Sequence, residues 1–284
     1  MGDFLLYGED SISSREFSQF QKLIFDMAGI SLSEAKKVLL VGRLAKRLRA
    51  LGLHSFGDYF QHLSQAAQAQ ERQTMVNLIT TNETYFFREP QHFDFLRAKA
   101  ARCGARGTFR VWSAASSSGE EAYSVAMVLA DTLGTQAWEI VGTDISTKVL
   151  SAARRGLYSL ERTSGIPKAL LKRYCLKGIM DQQGMLLICR QLRERTQFMY
   201  CNLLEPQHVP GSFDVIFLRN VLIYFNHETK QKVIANLLPY LKRDGHLIVG
   251  HSESLHGITG TLVTEQPTIY RLVSHTATTP TGLH

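Results

Sequence analysis

The sequence predicts an α/β protein in which a helical N-terminal region precedes a mostly parallel β-sheet covered by helices on both faces. Two observations support this prediction. Between residue 13 and about residue 75 the apolar side chains recur at helical spacing, and from Phe109 onward short β-branched and aromatic runs alternate with helical segments. Such alternation is typical of βαβ units, whose strands pair in parallel. The closing run "TIYRLV" predicts a last strand that returns antiparallel as an edge.

The N-terminal region begins with "SSREFSQFQKLIFDMAG", in which a serine cap precedes apolar residues at helical spacing and Gly29 ends the helix. A second helix is predicted from a cap at Ser33 to Gly52, and "SFGDYFQHLSQ" and "ERQTMVNLIT" complete the helical unit. On the second helix an apolar leucine stripe lies beside a basic stripe. The basic stripe is either a solvated face or a surface for docking acidic partners, and its members are Lys36, Arg43, Lys46 and Arg47.

Changes of pattern along the chain predict the domain organisation. We expect a helical N-terminal domain over residues 1–78, a connector over 79–108 with a short helix after Pro90, and a sheet domain over 109–273. Residues 157 to about 195 interrupt the strand–helix alternation, and "QQGMLLICRQL" within them indicates a hairpin or a small inserted sheet. The polar residues 274–284 predict a disordered tail.

Composition narrows the class of protein. The formal charge of +7 and the sequence pI near 9.3 imply an acidic partner or substrate, either nucleic acid or an acidic protein surface. Runs of about 18 apolar residues, as a membrane span requires, are absent from the sequence, as are the features of a secretion signal. The four cysteines lack CxxC spacing, so we expect free thiols in a reducing cytoplasm and no metal site.

The residues that follow the predicted strands suggest a ligand. In open α/β sheets, ligands bind beyond the carboxyl ends of the strands. The strand "RVWSA" leads into a turn with a single glycine followed by two glutamates, and the next strand ends in an aspartate that can accept the hydroxyls of a ribose. Further polar residues follow the later strands, so that the candidates are Glu120, Glu121, Asp144, Asn202, Leu203, Arg219, Asn220 and Tyr224.

The glycine-poor turn discriminates between cofactors. Pyrophosphates require bare backbone amides and several glycines, and both GxGxxG and GxxxxGK[ST] are absent, which argues against NAD and ATP. A ligand with an amino-acid tail and a positive sulfonium gains from nearby carboxylates, and S-adenosylmethionine fits that description. Simpler roles stay open, because Asp144 fits a cap of the next helix and Glu120 and Glu121 fit first-turn acids.

Several motifs together resemble one family. The segments "TTNETYFFRE", "VWSAASSSGEEAYS", "TDIS", "CNLL", "FDVIFLRNVLIYF" and "GHLIVGHSES" are similar, in order, to those of the chemotaxis receptor glutamate O-methyltransferases (CheR type), over roughly residues 15–273. The resemblance implies a Rossmann-like class I S-adenosylmethionine methyltransferase sheet, a helical N-terminal domain and a small inserted antiparallel β-subdomain. It also implies methyl transfer from S-adenosylmethionine to glutamate side chains on the cytoplasmic helical bundle of chemoreceptors, with S-adenosylhomocysteine as product.

The resemblance assigns roles by motif. Arg88 and Tyr224 are expected at the reaction, where Arg88 orients the acceptor carboxylate and Tyr224 lies beside the transferred methyl group. In the segment "TNETYFFR", the resemblance implies that Asn82, Thr84 and Arg88 contact the cofactor or the acceptor. The residues expected at the cofactor or lining its site are Asn82, Thr84, Arg88, Glu121, Asp144, Asn202, Leu203, Arg219 and Asn220.

The resemblance also implies a partner and a place in the cell. The basic stripe on the second helix is expected to align glutamate-rich receptor helices. In "RYCLKG", Lys177 stands where better-known members carry arginine, which weakens but keeps an expected role in gripping the acceptor. A receptor C-terminal peptide tether could dock on the β-subdomain by β-augmentation, and the sequence leaves this open. We expect a cytoplasmic protein recruited to membrane receptor arrays.

Two rival functions remain. A nucleic-acid methyltransferase would suit the positive charge, but "RNVLIYF" follows the fourth strand where amino-methylating DNA enzymes usually carry an Asn/Asp-Pro-Pro-aromatic stretch, and no aromatic-interleaved basic patch is present. A non-catalytic module that senses S-adenosylmethionine would keep the pocket without turnover. Nucleic acid is accordingly not expected as a partner.

Overall fold

The computed structural model describes residues 11–103, 107–206 and 208–273. The predicted tail at 274–284 and the first ten residues of the expected N-terminal domain lie outside these ranges. The described α-helices are α1 (Ser14–Ala28), α2 (Lys37–Ala50), α3 (Phe56–Ser64), α4 (Ala69–Ile79), α5 (Gln91–Ala101), α6 (Glu120–Leu133), α7 (Thr147–Arg155), α8 (Lys168–Tyr174), α9 (Arg190–Glu194) and α10 (His227–Leu237). Among the described residues, the helices are too short or too polar to cross a bilayer.

The first helices fold as their caps and apolar spacing dictate. Ser13 and Glu16 form a reciprocal capping box at the start of α1, and Gly29 ends the helix with a φ of +69°. The second helix begins later than predicted. Ser33 makes no side-chain cap, and a 3-10 turn over Glu34–Lys36 precedes α2, so the expected start at Ser33 was wrong. The buried faces of α1–α4 form one apolar core.

The strands form two sheets. The described strands are β1 (Phe109–Ala114), β2 (Trp138–Asp144), β3 (Leu157–Ser159), β4 (Cys175–Lys177), β5 (Met185–Ile188), β6 (Thr196–Tyr200), β7 (Phe213–Leu218), β8 (Leu241–Val249), β9 (Leu262–Gln266) and β10 (Ile269–Leu272). The large sheet has the order β6-β2-β1-β7-β8-β10-β9, with parallel pairing from β6 to β8 and antiparallel pairing beyond it. Both faces of the large sheet carry buried cores. Successive residues of β1 point to opposite faces, so Val111 packs in one core and Trp112 packs in the other.

Two sequence predictions about this sheet were wrong in detail. The closing strand β10 pairs antiparallel as expected, but β9 pairs outside it and forms the edge. Four of the five residues of β9 are exposed, so its sequence lacks the apolar alternation that reveals a strand. A helix was predicted over 227–241, but the α-helix ends at Leu237. A 3-10 turn over Leu238–Tyr240 follows it and contains Pro239, which has no N–H to donate to an α-helical hydrogen bond.

The interruption at 157–195 folds as a small antiparallel sheet of order β3-β5-β4, inserted between α7 and β6. It is attached to the turn after β1. The Tyr158 hydroxyl donates to the Ser118 carbonyl over 2.8 Å, and Arg162 forms an ion pair with the buried Glu120 carboxylate. The inserted β-subdomain is therefore tied directly to the loop that precedes α6.

The basic stripe of α2 divides into structural and exposed members. The Arg47 guanidinium pairs with the Glu71 carboxylate, which also accepts a hydrogen bond from Tyr59 over 2.8 Å. Burial alone would raise the pKa of Glu71, but Arg47 and Tyr59 hold it below its ordinary value. The Arg43 guanidinium donates to the Ile79 carbonyl and to Thr81 Oγ1. Lys46 is exposed on the same helix.

This division predicts different effects of removing neighbouring charges. Arg47→Met leaves the Glu71 carboxylate, whose side chain is 8% exposed, without its cation, and we expect the free energy of unfolding to fall by about 2 kcal/mol. Lys46→Met is the matched control and should change it by less than about 0.5 kcal/mol. Urea unfolding followed by circular dichroism measures both. Equal stabilities of the two variants would contradict a structural role for Arg47.

Candidate active site

A deep cleft opens at the carboxyl ends of the parallel strands. It lies between the helical N-terminal region and the large sheet, and both contribute to its walls. The segments that line it come from residues 28–39, 79–88, 115–121, 144–145, 201–203 and 219–225, together with Phe93. This is the place where open α/β sheets bind ligands. The lining includes every residue that the family resemblance placed at the cofactor, but it does not include Glu120, which the strand ends had also suggested.

The turn between β1 and α6 explains its single glycine. Gly119 has a φ of +95°, and a Cβ there would lie 3.0 Å from both the Ala153 Cβ and the Tyr158 hydroxyl, so a larger residue would be both strained and crowded. Ala115 and Ser117 also adopt left-handed backbone conformations, with φ of +64° and +49°. Strained backbone of this kind clusters at functional sites. In this turn, non-glycine residues adopt the left-handed conformations that glycines adopt in a phosphate-binding loop.

Asp144 ends β2 and fixes the turn from the opposite side. One carboxylate oxygen accepts the backbone N–H of Ser117 over 2.9 Å and the other accepts the N–H of Ser146 over 2.8 Å. Burial raises the pKa of Asp144 above its ordinary value, and the backbone hydrogen bonds oppose that rise. Each carboxylate oxygen has two lone pairs, so it can accept a ligand hydroxyl as well. The helix-capping and ligand-binding interpretations of Asp144 are therefore compatible.

Arg219, at the end of β7, is the charged centre of the cleft wall. Its side chain is 1% exposed, and its guanidinium lies 2.9 Å from carboxylate oxygens of both Glu89 and Glu121. It also donates to the carbonyl of Arg88. The Ser113 hydroxyl donates to the second oxygen of Glu121 over 2.6 Å. One guanidinium therefore joins three separate segments of the chain.

The two carboxylates beside Arg219 respond differently to burial. Burial raises the pKa of Glu121, and the Arg219 charge only partly offsets this. Burial would also raise the pKa of Glu89, but there the attraction of Arg219 prevails and the pKa lies below its ordinary value. The other acid of this turn, Glu120, is paired with Arg162 and does not line the cleft. The structure thus separates the adjacent glutamates of the "GEEAYS" motif.

Asn220 and Tyr224 follow Arg219 in the cleft lining. Asn220 has a φ of +59°, and its backbone N–H donates over 2.7 Å to the buried Glu253 carboxylate, which also accepts the N–H of Gly250 over 2.7 Å. Tyr224 lies in a 3-10 turn over Leu222–Tyr224, and its carbonyl accepts the N–H of Ser31 over 2.9 Å. The contact with Ser31 joins the sheet to the helical region at the cleft.

The connector supplies the predicted residues Asn82, Thr84 and Arg88, and all three line the cleft. The Asn82 carbonyl accepts the Ser117 hydroxyl over 3.0 Å, which ties the connector to the turn after β1. The Arg88 guanidinium donates to the Glu83 carbonyl over 3.3 Å and lies 5.5 Å from the centre of the Tyr85 ring. Both of these contacts are with exposed residues of its own segment.

After β6, Asn202 and Leu203 line the cleft and are largely buried. The sequence suggested that the Asn202 amide meets the edge of an adenine. In the structure its amide nitrogen donates to the Met27 carbonyl over 2.9 Å and to Glu205 over 3.1 Å, and its oxygen accepts the N–H of Leu204. The Asn202 side chain therefore anchors the helical region to the sheet.

The residues predicted to dock a partner are not brought to one place. Lys36 is exposed and lines the mouth of the cleft, and Lys46 is exposed on α2. Arg43 and Arg47 are engaged within the helical region, as described above. Lys177 is exposed on β4, an edge strand of the inserted β-subdomain, and it lies outside the cleft lining.

Sequence reasoning missed two parts of this site. Glu89 and Glu253 organise Arg219 and Asn220, and both stand in quoted motifs, "TTNETYFFRE" and "GHSES", so their motif membership was the available signal. The wall contributed by Ile30, Leu32 and Leu39 was not predictable, because a helical pattern does not show which domain surface closes over a cleft.

Comparison with known proteins identifies the family. The family model described as "CheR methyltransferase, all-alpha domain" matches residues 15–80, and the one described as "CheR methyltransferase, SAM binding domain" matches residues 82–270. The chain belongs to the CheR methyltransferase family. The resemblance noted from the motifs is confirmed, and so are the fold class and S-adenosylmethionine as the cofactor. The match to the SAM binding domain covers both sheets except the last two residues of β10.

Curated relatives match nearly the whole chain. A chemotaxis protein methyltransferase of Escherichia coli (strain K12) is 41% identical over 265 residues, which cover 92% of this chain and 92% of the relative. The corresponding protein of Salmonella typhimurium is 40% identical over 92% of this chain and 91% of the relative. Chemotaxis protein methyltransferase 2 of Pseudomonas aeruginosa is 41% identical over 84% of this chain and 86% of the relative.

The buried carboxylate at the end of β2 predicts pH-dependent cofactor binding. Because burial raises the pKa of Asp144, acidification protonates it at a higher pH than an ordinary aspartate, and it would then no longer offer an ionised acceptor to the ribose hydroxyls that we predict it binds. We expect the dissociation constant of S-adenosylhomocysteine, measured by calorimetry, to rise as the pH is lowered from 7, before it reaches the range in which an ordinary aspartate is protonated. At pH 7, Asp144→Asn should weaken binding about 10- to 100-fold and flatten this profile.

The control for this measurement is Asp131→Asn. Asp131 lies on the exposed side of α6, pairs with Arg97 and Arg173, and is outside the cleft lining. It should bind S-adenosylhomocysteine as the wild type does. An Asp144→Asn variant with unchanged affinity and an unchanged pH profile would show that Asp144 serves the turn alone.

Proposed function

We propose that this protein transfers the methyl group of S-adenosylmethionine to glutamate side chains on the cytoplasmic helical bundle of chemoreceptors, as part of chemotactic adaptation. The methyltransferase family and the names of the curated relatives support chemotactic methylation. The glutamate acceptor is supported by the chemistry of the cleft. The observation that carries this proposal is that the Arg88 guanidinium lines the cleft and contacts exposed groups of its own segment, whereas the Arg219 guanidinium is paired with two carboxylates.

An acceptor carboxylate needs no general base. A glutamate with a pKa of about 4.3 is ionised at pH 7. One of its oxygens attacks the methyl carbon, the carbon–sulfur bond breaks, and the bonding electrons return to sulfur. The products are a glutamyl methyl ester and neutral S-adenosylhomocysteine, and no proton has to move. The protein has to desolvate the carboxylate, align it with the methyl group and exclude water.

Arg88 and Tyr224 are the residues we assign to that step. The Arg88 guanidinium can hold the acceptor carboxylate by paired charge-assisted hydrogen bonds, which Arg219 cannot do because Glu89 and Glu121 occupy it. Tyr224 lines the cleft on the opposite segment, where its ring would bound the transferred methyl group. The same cleft lining supports the proposed cofactor roles of Asn82, Thr84, Glu121, Asp144, Leu203 and Asn220.

Partner docking is proposed at two surfaces. Exposed Lys36 at the cleft mouth and Lys46 on α2 would attract a glutamate-rich receptor helix, and the net charge of +7 favours such an encounter. Lys177 lies on the edge strand β4. The nearby apolar side chains of Leu176, in the same strand, and Ile179, just after it, are 57% and 73% exposed. That edge suits β-augmentation by a receptor C-terminal peptide tether. Both surfaces imply a cytoplasmic protein recruited to receptor arrays at the membrane.

The chemical stability of the product tests this proposal. Purified protein and S-adenosylmethionine with a labelled methyl group are incubated with membranes containing the organism's chemoreceptors, and the membranes are then treated with mild alkali. Glutamyl methyl esters release methanol, so we expect volatile label from the receptor band. An Arg88→Ala variant should lose transfer while it still binds S-adenosylhomocysteine, and Lys232→Gln, exposed on α10 and outside the cleft, is the control.

Two outcomes would contradict the proposal. Alkali-stable label would place the methyl group on nitrogen and would favour a nucleic-acid acceptor. Absence of transfer to receptor membranes, despite tight cofactor binding, would favour a module that senses S-adenosylmethionine without turnover.

A further inference from the structure

Behind the Arg219 wall the fold assembles a second group of ligating side chains. Glu89, His92 and His251 come from the connector, α5 and the loop after β8, and their ligating atoms all lie within 4.8 Å of one another. His92 Nδ1 lies 3.4 Å from Glu89 Oε2, and His251 Nε2 lies 3.9 Å from the same oxygen. We call these three residues the His-His-Glu cluster. The methyl-transfer step proposed above uses neither histidine.

One ring nitrogen of His92 is buried without a hydrogen-bond partner. The Thr268 hydroxyl lies 2.7 Å from Nε2 and engages that side of the ring. The other nitrogen, Nδ1, is buried and unpartnered, and Glu89 Oε2 lies 3.4 Å from it. A ligand bound by Nδ1 and Oε2 together would satisfy the ring nitrogen.

The carboxylate of the cluster already has a cationic partner. Glu89 Oε2 lies 2.9 Å from Arg219 Nη2, so an ion bound by the cluster has to compete with that guanidinium for the carboxylate.

We propose that the His-His-Glu cluster binds a divalent transition metal of the zinc class, and that the bound metal competes with Arg219 for Glu89. Two imidazoles and one carboxylate are a frequent zinc ligand set. In a tetrahedral zinc site with bonds of about 2.0–2.1 Å, ligand atoms lie roughly 3.3 Å apart, close to the 3.4 Å between His92 and Glu89. Thr268 fixes the second ring nitrogen of His92, as partners of metal-bound histidines commonly do.

Access to the cluster is through His251. Its side chain is 46% exposed, whereas His92 is fully buried. The exposed Gln91 amide contacts the same His251 ring nitrogen and would have to swing aside. The metal would draw Glu89 Oε2 away from Arg219 Nη2, which lies 2.9 Å from it. Arg219 would then be held by Glu121 and the Arg88 carbonyl, and the wall of the cleft would loosen.

Metal titration of the full-length protein tests the site directly. The protein is stripped with a chelator, Co²⁺ is added while its visible absorption is recorded, and Zn²⁺ affinity is measured by competition with a chromophoric chelator. We expect one ion per chain and Co²⁺ absorption typical of tetrahedral nitrogen and oxygen ligands. His251→Gln should weaken Zn²⁺ binding about tenfold or more. His256→Gln, an exposed histidine of the same loop, is the matched control and should bind as the wild type does.

A second measurement tests the competition. Saturating Zn²⁺ should raise the dissociation constant of S-adenosylhomocysteine several-fold in the wild type and leave it unchanged in His251→Gln. Equal Zn²⁺ affinities of wild type and His251→Gln, or no one-to-one binding, would overturn the site. An unchanged S-adenosylhomocysteine affinity at saturating Zn²⁺ would overturn the competition with Arg219. Neither measurement uses a receptor, so both are independent of the proposed acceptor.

Discussion

The ion pairs of the buried Arg219 guanidinium organise the cleft at the carboxyl ends of the strands. Arg219 lies at the end of β7, and its partners are Glu121 of α6 and, in the connector, Glu89 and the Arg88 carbonyl. A buried guanidinium is costly unless carboxylates and carbonyls satisfy it, and removal of one partner leaves an uncompensated charge. The end of β7, α6 and the connector are therefore held in one arrangement. The Arg88 guanidinium stands outside these ion pairs.

Much of the fold was predictable because local and long-range signals agree. The capping box of α1 and the strand–helix alternation after Phe109 specified most elements and the parallel sheet. The failures have physical causes. Ser33 has the right residue type for a cap but does not make the hydrogen bond, and β9 is exposed along most of its length, so neither could be judged from residue type or periodicity. The order in which β9 and β10 pair is a tertiary property.

The candidate site was predictable in its residues and less so in their roles. The rule that ligands bind at the carboxyl ends of strands found Glu121, Asp144 and Arg219. It could not show that Arg219 is paired with two carboxylates, that Asn202 binds the Met27 carbonyl, or that Arg47 supports Glu71. These pairs are separated by many residues in sequence, and only the folded chain brings them together. The His-His-Glu cluster is hidden in the same way, since its spacing follows no metal-binding pattern.

The central claim, that Arg219 shapes the cofactor cleft through its carboxylate partners, is tested most directly by a double-mutant cycle. The dissociation constant of S-adenosylhomocysteine is measured by calorimetry for the wild type, Arg219→Lys, Glu121→Gln and the double variant. If the two residues act as one unit, the double variant loses less affinity than the sum of the single variants. The account predicts a coupling free energy of about 1 kcal/mol or more. Additive effects, with a coupling near zero, would contradict it.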